Sequence, residues 1–332
     1  MCTASHLGFF LRTAAAVALL AGCSGGSQPP VADAPSSALT RLGMVPPDMN
    51  ANSPGADQVI VSDSFSNVVS VFDSKGRLQT RLEKGINAPF GLTTDSAGNL
   101  YVANSQDANV LVYSQPYKSV SSTLNEPGQY PLDVAVSKAG LVGVMSATAP
   151  SGGGNVTFYK KGATSACANV GDSNWNEVSF GAFDASGNLF VDGVDRSGNP
   201  LVGEVSGGCA ATSLTTLSVG NTLSGAVGVQ VVHGNILILN QNYGSFGPEI
   251  YTYAPPSGGS LGSPIATTKL SAGIEMEGFA MTRGDRDLWI AHSDVAYGRI
   301  EYTYPGGRFV KSFNEPHLVT AYGIAVNPAA SP

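Results

Sequence analysis

Charge is scarce in this chain: Asp, Glu, Lys and Arg together make up 12% of its 332 residues, about half of ordinary usage. No run of Lys or Arg occurs, and the formal net charge is −7, so nucleic acid is not expected as a partner. No stretch combines a 3.6-residue apolar period with helix caps, which predicts very little helix. The usual motifs of chemistry are missing as well. There is no Gly-x-x-x-x-Gly-Lys phosphate loop and no Gly-x-Gly-x-x-Gly turn. Neither Cys-x-x-Cys nor His-x-x-x-His occurs, which argues against zinc. What the chain has instead is 41 glycines within a 42% hydrophobic composition, too apolar for disorder and rich in turns.

The N-terminus carries an address. Arg12 precedes the apolar stretch Thr13 to Leu20, which leads directly into Leu20-Ala21-Gly22-Cys23. Such a stretch is too short to span a bilayer, which takes about 20 apolar residues. Small residues before a cysteine at this point resemble the lipobox of bacterial lipoproteins. The resemblance implies that residues 1–22 are a signal peptide and that Cys23 is lipidated with palmitate-type chains. Two or three such chains anchor stably where one would not. Loss of the signal removes Arg12 and no acid, leaving −8. Residues 24–56 are rich in Ser, Pro and Ala, with Pro29-Pro30 and Pro46-Pro47, as in a flexible tether. The expected place is the cell envelope, outside the cytoplasm, on the inner or the outer membrane. Of the four cysteines, Cys2 leaves with the signal and Cys23 takes the lipid. Cys167 and Cys209 remain, as a disulfide in an oxidising compartment or as two buried thiols.

From Val59 onward, short apolar runs of period 2 alternate with Gly, Asn, Asp and Pro. Phe90-Gly91-Leu92, Leu132-Asp133-Val134, Phe180-Gly181-Ala182, Val227-Gly228-Val229, Glu277-Gly278-Phe279 and Tyr322-Gly323-Ile324 occupy equivalent places. A period of about 40–50 residues with four strands per unit means propeller blades. Units begin near 89, 131, 179, 226 and 276. The sixth is assembled from three strands within 59–83 and a C-terminal strand at 322–326. The expected fold is therefore all-β, a six-bladed β-propeller over 57–328 closed by the C-terminal strand joining the N-terminal blade, with a tail at 329–332. The turns Asp95-Ser96-Ala97-Gly98-Asn99 and Asp184-Ala185-Ser186-Gly187-Asn188 suit tight reversals. Cys167 and Cys209 then fall on outer rims of adjacent blades. The pattern Pro89-Phe90-Gly91-Leu92 with Gly98-Asn99-Leu100-Tyr101-Val102 resembles the NHL repeat. The domain as a whole resembles the NHL, SMP-30/gluconolactonase and streptogramin-lyase group.

Candidate site residues come from places where a repeat column breaks its own rule. Glu277 stands where five blades place a hydrophobe, and Asp133 where five place glycine. Second strands end at Asp63, Asn104, Asn240 and His292, with Asp192 close to the end of its own. Together these seven would form an acidic mouth suited to a hard cation or a polar ligand. The plainer alternative is that Asn and Asp end strands and satisfy loop backbone. Related lactonases hold one calcium with Glu, Asn and Asp, so the resemblance implies Ca²⁺ or Mg²⁺ on Glu277, Asp133 and Asn104 or Asn240. The surrounding residues do not match that family. Related lyases use a His base, for which His292 is the counterpart. No family's catalytic set carries over residue by residue. The expected function is therefore a lipid-anchored, monomeric, non-catalytic binding or scaffold module for a protein or glycan. The alternative is a metal-dependent lactone hydrolase or lyase.

Overall fold

The computed structural model describes residues 57–147, 153–241, 247–271, 276–282, 284–292, 299–313 and 318–327. The signal peptide, Cys23, the tether and the tail at 329–332 lie outside the described residues. The described chain is built from short strands joined by turns that aspartate organises. Asp95 Oδ1 accepts from the N–H groups of Ala97 and Asn99, and Gly98 takes a positive φ of 79°. Asp184 and Asp195 repeat the arrangement with Asn188 and Asn199. A carboxylate caps the turn's N–H groups while glycine supplies the left-handed backbone.

Six antiparallel sheets result. Blade 1 consists of Ala321–Asn327 inside, then Gln58–Asp63, Val68–Phe72 and Leu78–Leu82 outside. Blade 2 runs Pro89–Thr94, Leu100–Asn104, Asn109–Tyr113, Val120–Asn125. Blade 3 runs Pro131–Val136, Val142–Ser146, Asn155–Tyr159, Ala166–Gly171. Blade 4 runs Trp175–Phe183, Leu189–Asp195, Pro200–Val205, Thr215–Val219. Blade 5 runs Ala226–Val232, Asn235–Asn240, Glu249–Tyr253, Ala266–Lys269. Blade 6 runs Met276–Met281, Asp287–His292, Arg299–Thr303, Phe309–Phe313. This is the expected six-bladed propeller. The last strand closes the ring by pairing with the first, with Val59 opposite Val326 and Val61 opposite Ile324. Closure of this kind leaves no inner edge exposed. The inner strand of blade 4 starts at Trp175, earlier than the repeat implies, and Trp175 is fully buried. The long third-to-outer connection of blade 5 adds Ser260–Gly262 in parallel to the outer strand of blade 4, covering that edge.

The core lies between blades, because each sheet buries both faces against its neighbours. Val110, Val112 and Leu124 of blade 2 meet Val134, Val144 and Tyr159 of blade 3. The seam between blades 6 and 1 is different. Arg299 is 1% exposed, and its guanidinium lies 3.4 Å from the ring centre of Phe72 and 5.0 Å from that of Phe313. A weakly hydrated planar cation stacks well there. Cys167, in the outer strand of blade 3, is bonded to Cys209, in the turn before the outer strand of blade 4, with Cα atoms 5.1 Å apart.

The ring has two unlike faces. Inner strands begin at the mouth face, which carries the loops between blades and those joining second to third strands. They end at the turn face, which carries the inner-to-second and third-to-outer turns.

Candidate functional site

Every inner strand carries a bulge at the mouth end, where two residues oppose one on the second strand. The extra residue breaks the period of 2 at that point. Phe90, Leu132, Phe180, Val227, Glu277 and Tyr322 therefore form a half-buried ring at the channel entrance. They do not continue the buried apolar face, as strict alternation predicts. The rings of Phe90 and Tyr322 lie 4.6 Å apart between centres. A Cβ on Gly278 of blade 6 would come within 3.3 Å of the Phe180 ring of blade 4.

One residue deeper lie Gly91, Gly181, Gly228, Gly278 and Gly323, and Asp133 in the sixth place. The glycines are there for space. A Cβ on Gly323 would stand 2.4 Å from Phe90 O, and one on Gly91 would stand 2.0 Å from Asp133 Oδ1. The inner strands close together, and a cavity of only about 40 Å³ remains between them.

Asp133 and Asp192 are buried at this level. Asp133 Oδ2 accepts from Gly181 N–H of the next blade at 3.2 Å. Asp192 accepts from Phe180 N–H at 2.9 Å and from Gly228 N–H of the next blade at 2.8 Å. Burial pushes the Asp133 carboxyl well above the usual carboxylate range; the Val134 and Gly181 N–H groups oppose that rise and nearby Asp192 adds to it. Burial likewise lifts Asp192 to about 7, against the Gly228 and Phe180 N–H groups and with Glu177 contributing. Desolvation of the charged form outweighs the donated bonds in both.

The column at the second-strand ends does something else. Asp63 Oδ1 accepts from the N–H groups of Phe65 and Ser66 at 3.0 and 2.8 Å. Its Oδ2 accepts from Val319 N–H, and from Thr320 N–H at 3.1 Å. Asn104 Oδ1 accepts from Asn87 N–H at 2.6 Å while its amide donates to Gly85 O at 3.1 Å. Asn240 Oδ1 accepts from Ser224 and Gly225 N–H at 2.8 and 3.3 Å. Each of these side chains clamps the loop that enters its own blade's inner strand. The following residues reach sideways: Ser105 Oγ donates to Pro131 O of the next blade, and Gln241 Nε2 to Met276 O.

The expected mouth thus separates into parts. Asp63, Asn104 and Asn240 direct their oxygens into loop backbone, and Asp133 and Asp192 lie in the channel wall. Glu277 is half-buried in the entrance ring, and His292 is 1% exposed opposite Met276. The Asn104 oxygen accepts one bond, from Asn87 N–H. Among the described residues no group of three or more His, Cys, Asp or Glu is placed to hold one ion. Residues 148–152, 242–246, 272–275, 293–298 and 314–317 lie outside the described residues. Sequence reasoning missed Glu126, a buried acid in the loop between blades 2 and 3. It accepts from Tyr159 OH at 2.7 Å and Thr157 Oγ1 at 2.9 Å, and burial raises its pKa. No periodic signal marks it. A larger cavity, about 350 Å³, opens at the turn end of the channel, lined by Thr93, Thr94, Asp95, Gln230, Thr282 and Asp285 among others.

No family model matches this chain, and no curated protein matches it. Solved structures do. A chain in a nidogen/laminin complex is similar over 83% of this chain and 100% of its own, at 12% identity and a TM-score of 0.65. A Bacteroides caccae protein of unknown function is similar over 82% of this chain and 99% of its own, at 10% identity and a TM-score of 0.62. A streptogramin B lyase is similar over 84% of this chain and 89% of its own, at 10% identity and a TM-score of 0.56. At such identity these likenesses establish the fold.

Proposed function

We propose that this protein is a lipid-anchored propeller of a bacterial cell envelope that binds a protein or glycan partner and performs no chemistry on it. The observation that carries this reading is the engagement of Asp63, Asn104 and Asn240 by loop N–H groups. Residues so engaged shape a rim for binding; they do not act on a substrate. The lipobox-like Leu20-Ala21-Gly22-Cys23 supports the anchor. A nidogen/laminin complex among the similar folds is in keeping with a binding role.

Elemental analysis of the purified protein, with a lactone panel, tests the reading. No stoichiometric metal and no hydrolysis are expected. Ca²⁺ or Mg²⁺ at one per chain, lost together with lactone hydrolysis in Glu277→Gln, would overturn it. Cys23→Ser tests the anchor, since the protein should then leave the membrane fraction. Persistence there after a high-salt wash would refute lipidation.

One observation favours the alternative, a Ca²⁺- or Mg²⁺-dependent lactone hydrolase or lyase. Asp133 and Asp192 are buried carboxyls with raised pKa values beside the channel, a property that active-site acids share with structural ones.

A further inference from the structure

We infer that the turn face is a docking surface for an anionic lipid bilayer, so that the propeller rests on the membrane with its mouth turned away. The inference depends on the lipid-anchor reading only for the means of delivery. Three observations converge on this face.

The first is a row of exposed apolar side chains at one recurring place. An outer strand begins at the turn face. Here Phe309 and Val310 open the outer strand of blade 6, Leu78 that of blade 1 and Val120 that of blade 2. Ile265 immediately precedes the outer strand of blade 5. Their exposures run from 37% for Phe309 to 61% for Ile265. Blades 5, 6, 1 and 2 are consecutive around the ring, so these residues form one arc. Blades 3 and 4, which complete the circle, carry the Cys167–Cys209 bridge at this level instead.

The second is charge. The third-to-outer turns beside this arc carry Lys75 and Arg77 in blade 1, Lys118 in blade 2, Lys160 and Lys161 in blade 3, and Arg308 in blade 6, all exposed. Arg77 also pairs with Asp73 at 2.6 Å. In a chain of net charge −7 with 17 basic residues in all, this is a marked concentration. The loops of the mouth face are acidic by contrast, with Glu83 and Asp107 exposed and Asp172 and Asp195 half-buried, whereas Asp73, Asp95, Asp184 and Asp285 on the turn face are engaged by their own turns or by Arg77 and His233. Apolar side chains interleaved with Lys and Arg suit an interface with anionic headgroups, which attract the cations and admit the apolar groups.

The third is where the chain arrives. Gln58 pairs with Asn327 at the turn end of the inner strand. The first strand of the propeller therefore starts on the turn face, at blade 1, within the apolar arc.

The test uses the mature chain from residue 23 carrying Cys23→Ser, so that no acyl chain contributes. Sedimentation is measured with vesicles of phosphatidylcholine alone and of phosphatidylcholine mixed with phosphatidylglycerol. The protein should bind the anionic vesicles at least tenfold more tightly, and added salt should weaken binding. Lys75→Glu with Arg308→Glu should lower the partition more than tenfold, at about fivefold per basic residue removed. Phe309→Ser with Ile265→Ser should also lower it, whereas Phe65→Ser, on the mouth face at 74% exposure, should not. Equal binding to both vesicles, no binding, or an equal loss with Phe65→Ser overturns the inference. So does a dimer in solution that Phe309→Ser with Ile265→Ser converts to a monomer, since the arc would then join two copies. Mass spectrometry of the Cys23 peptide from wild-type membranes tests the anchor separately. Acylation without vesicle binding defeats the docking surface alone, and vesicle binding without acylation upholds the docking surface and defeats the anchor.

Discussion

Replacing Asp63 by alanine should loosen the closure of the ring and leave the rest of the propeller intact. The carboxylate accepts four N–H groups, two from Phe65 and Ser66 in its own turn and two from Val319 and Thr320. The latter pair introduces Ala321–Asn327, the strand that closes blade 1. In Asp63→Ala, water can replace the bonds at the exposed turn, so their loss costs little. The N–H groups of Val319 and Thr320 are part-buried and lose charge-assisted bonds, at about 2 kcal/mol each. A total of about 4 kcal/mol should lower the melting temperature by about 10 °C in a domain of this size. Asp63→Asn keeps one acceptor and should fall about halfway. Circular dichroism melts measure the shift, and limited proteolysis within 318–327 should accelerate in step with it. A melting temperature within about 1 °C of wild type for Asp63→Ala would refute the clamp. Asp63 would then be available for a ligand.

Three further outcomes are expected. Non-reducing peptide mapping should recover Cys167 and Cys209 as a linked pair. Reducing that bond across a separation of 42 residues should cost about 4 kcal/mol on the chain-entropy account, read from urea midpoints. Asp192 is raised in the folded state from 3.8 to about 7, so the native state holds its proton more tightly than the unfolded chain. Stability should therefore fall as pH rises from about 4 to about 7 and level off above that. Asp192→Asn should flatten this slope, and an unchanged slope would show that other groups cause it. Gly323→Ala puts a Cβ 2.4 Å from Phe90 O and 2.9 Å from Gly91 Cα. Both are backbone atoms, so about 3 kcal/mol should be lost, and a wild-type urea midpoint would disprove the tight approach.

The architecture was legible because blades repeat. Gly91, Asp133, Gly181, Gly228, Gly278 and Gly323 recur every 42 to 50 residues; the first five revealed five units, and the two chain ends matched the parts of a sixth. The positions of Cys167 and Cys209 followed from the strand count alone. The site was less legible, for reasons of geometry. The bulge after Pro89, and its counterpart in each blade, shifts facing by one residue, so alternation assigned Glu277 to a buried face that it does not share. Asp133 stood out because it breaks the glycine column, yet nothing in sequence says that its carboxylate reaches Gly181 of the next blade. The columns of Asn and Asp were visible. Their bonds to loops 15 to 257 residues away were not, because a one-dimensional pattern records what a residue can bond and not what comes within reach.

The closing strand also governs the order in which the molecule can be completed. Blade 1 supplies its three outer strands first, at Gln58–Leu82, and receives its innermost strand last, at Ala321–Asn327. As the chain is synthesised, Val59, Ile60 and Val61 can pair with Phe72, Val71 and Ser70 on one side, while their other edge waits for five further blades. No nascent chain shorter than residue 327 can hold the register of Gln58 against Asn327. That one edge stays open until Ala321–Asn327 is made, a period in which a chaperone can cover it. Final locking is confined to the time after Asn327 has been made.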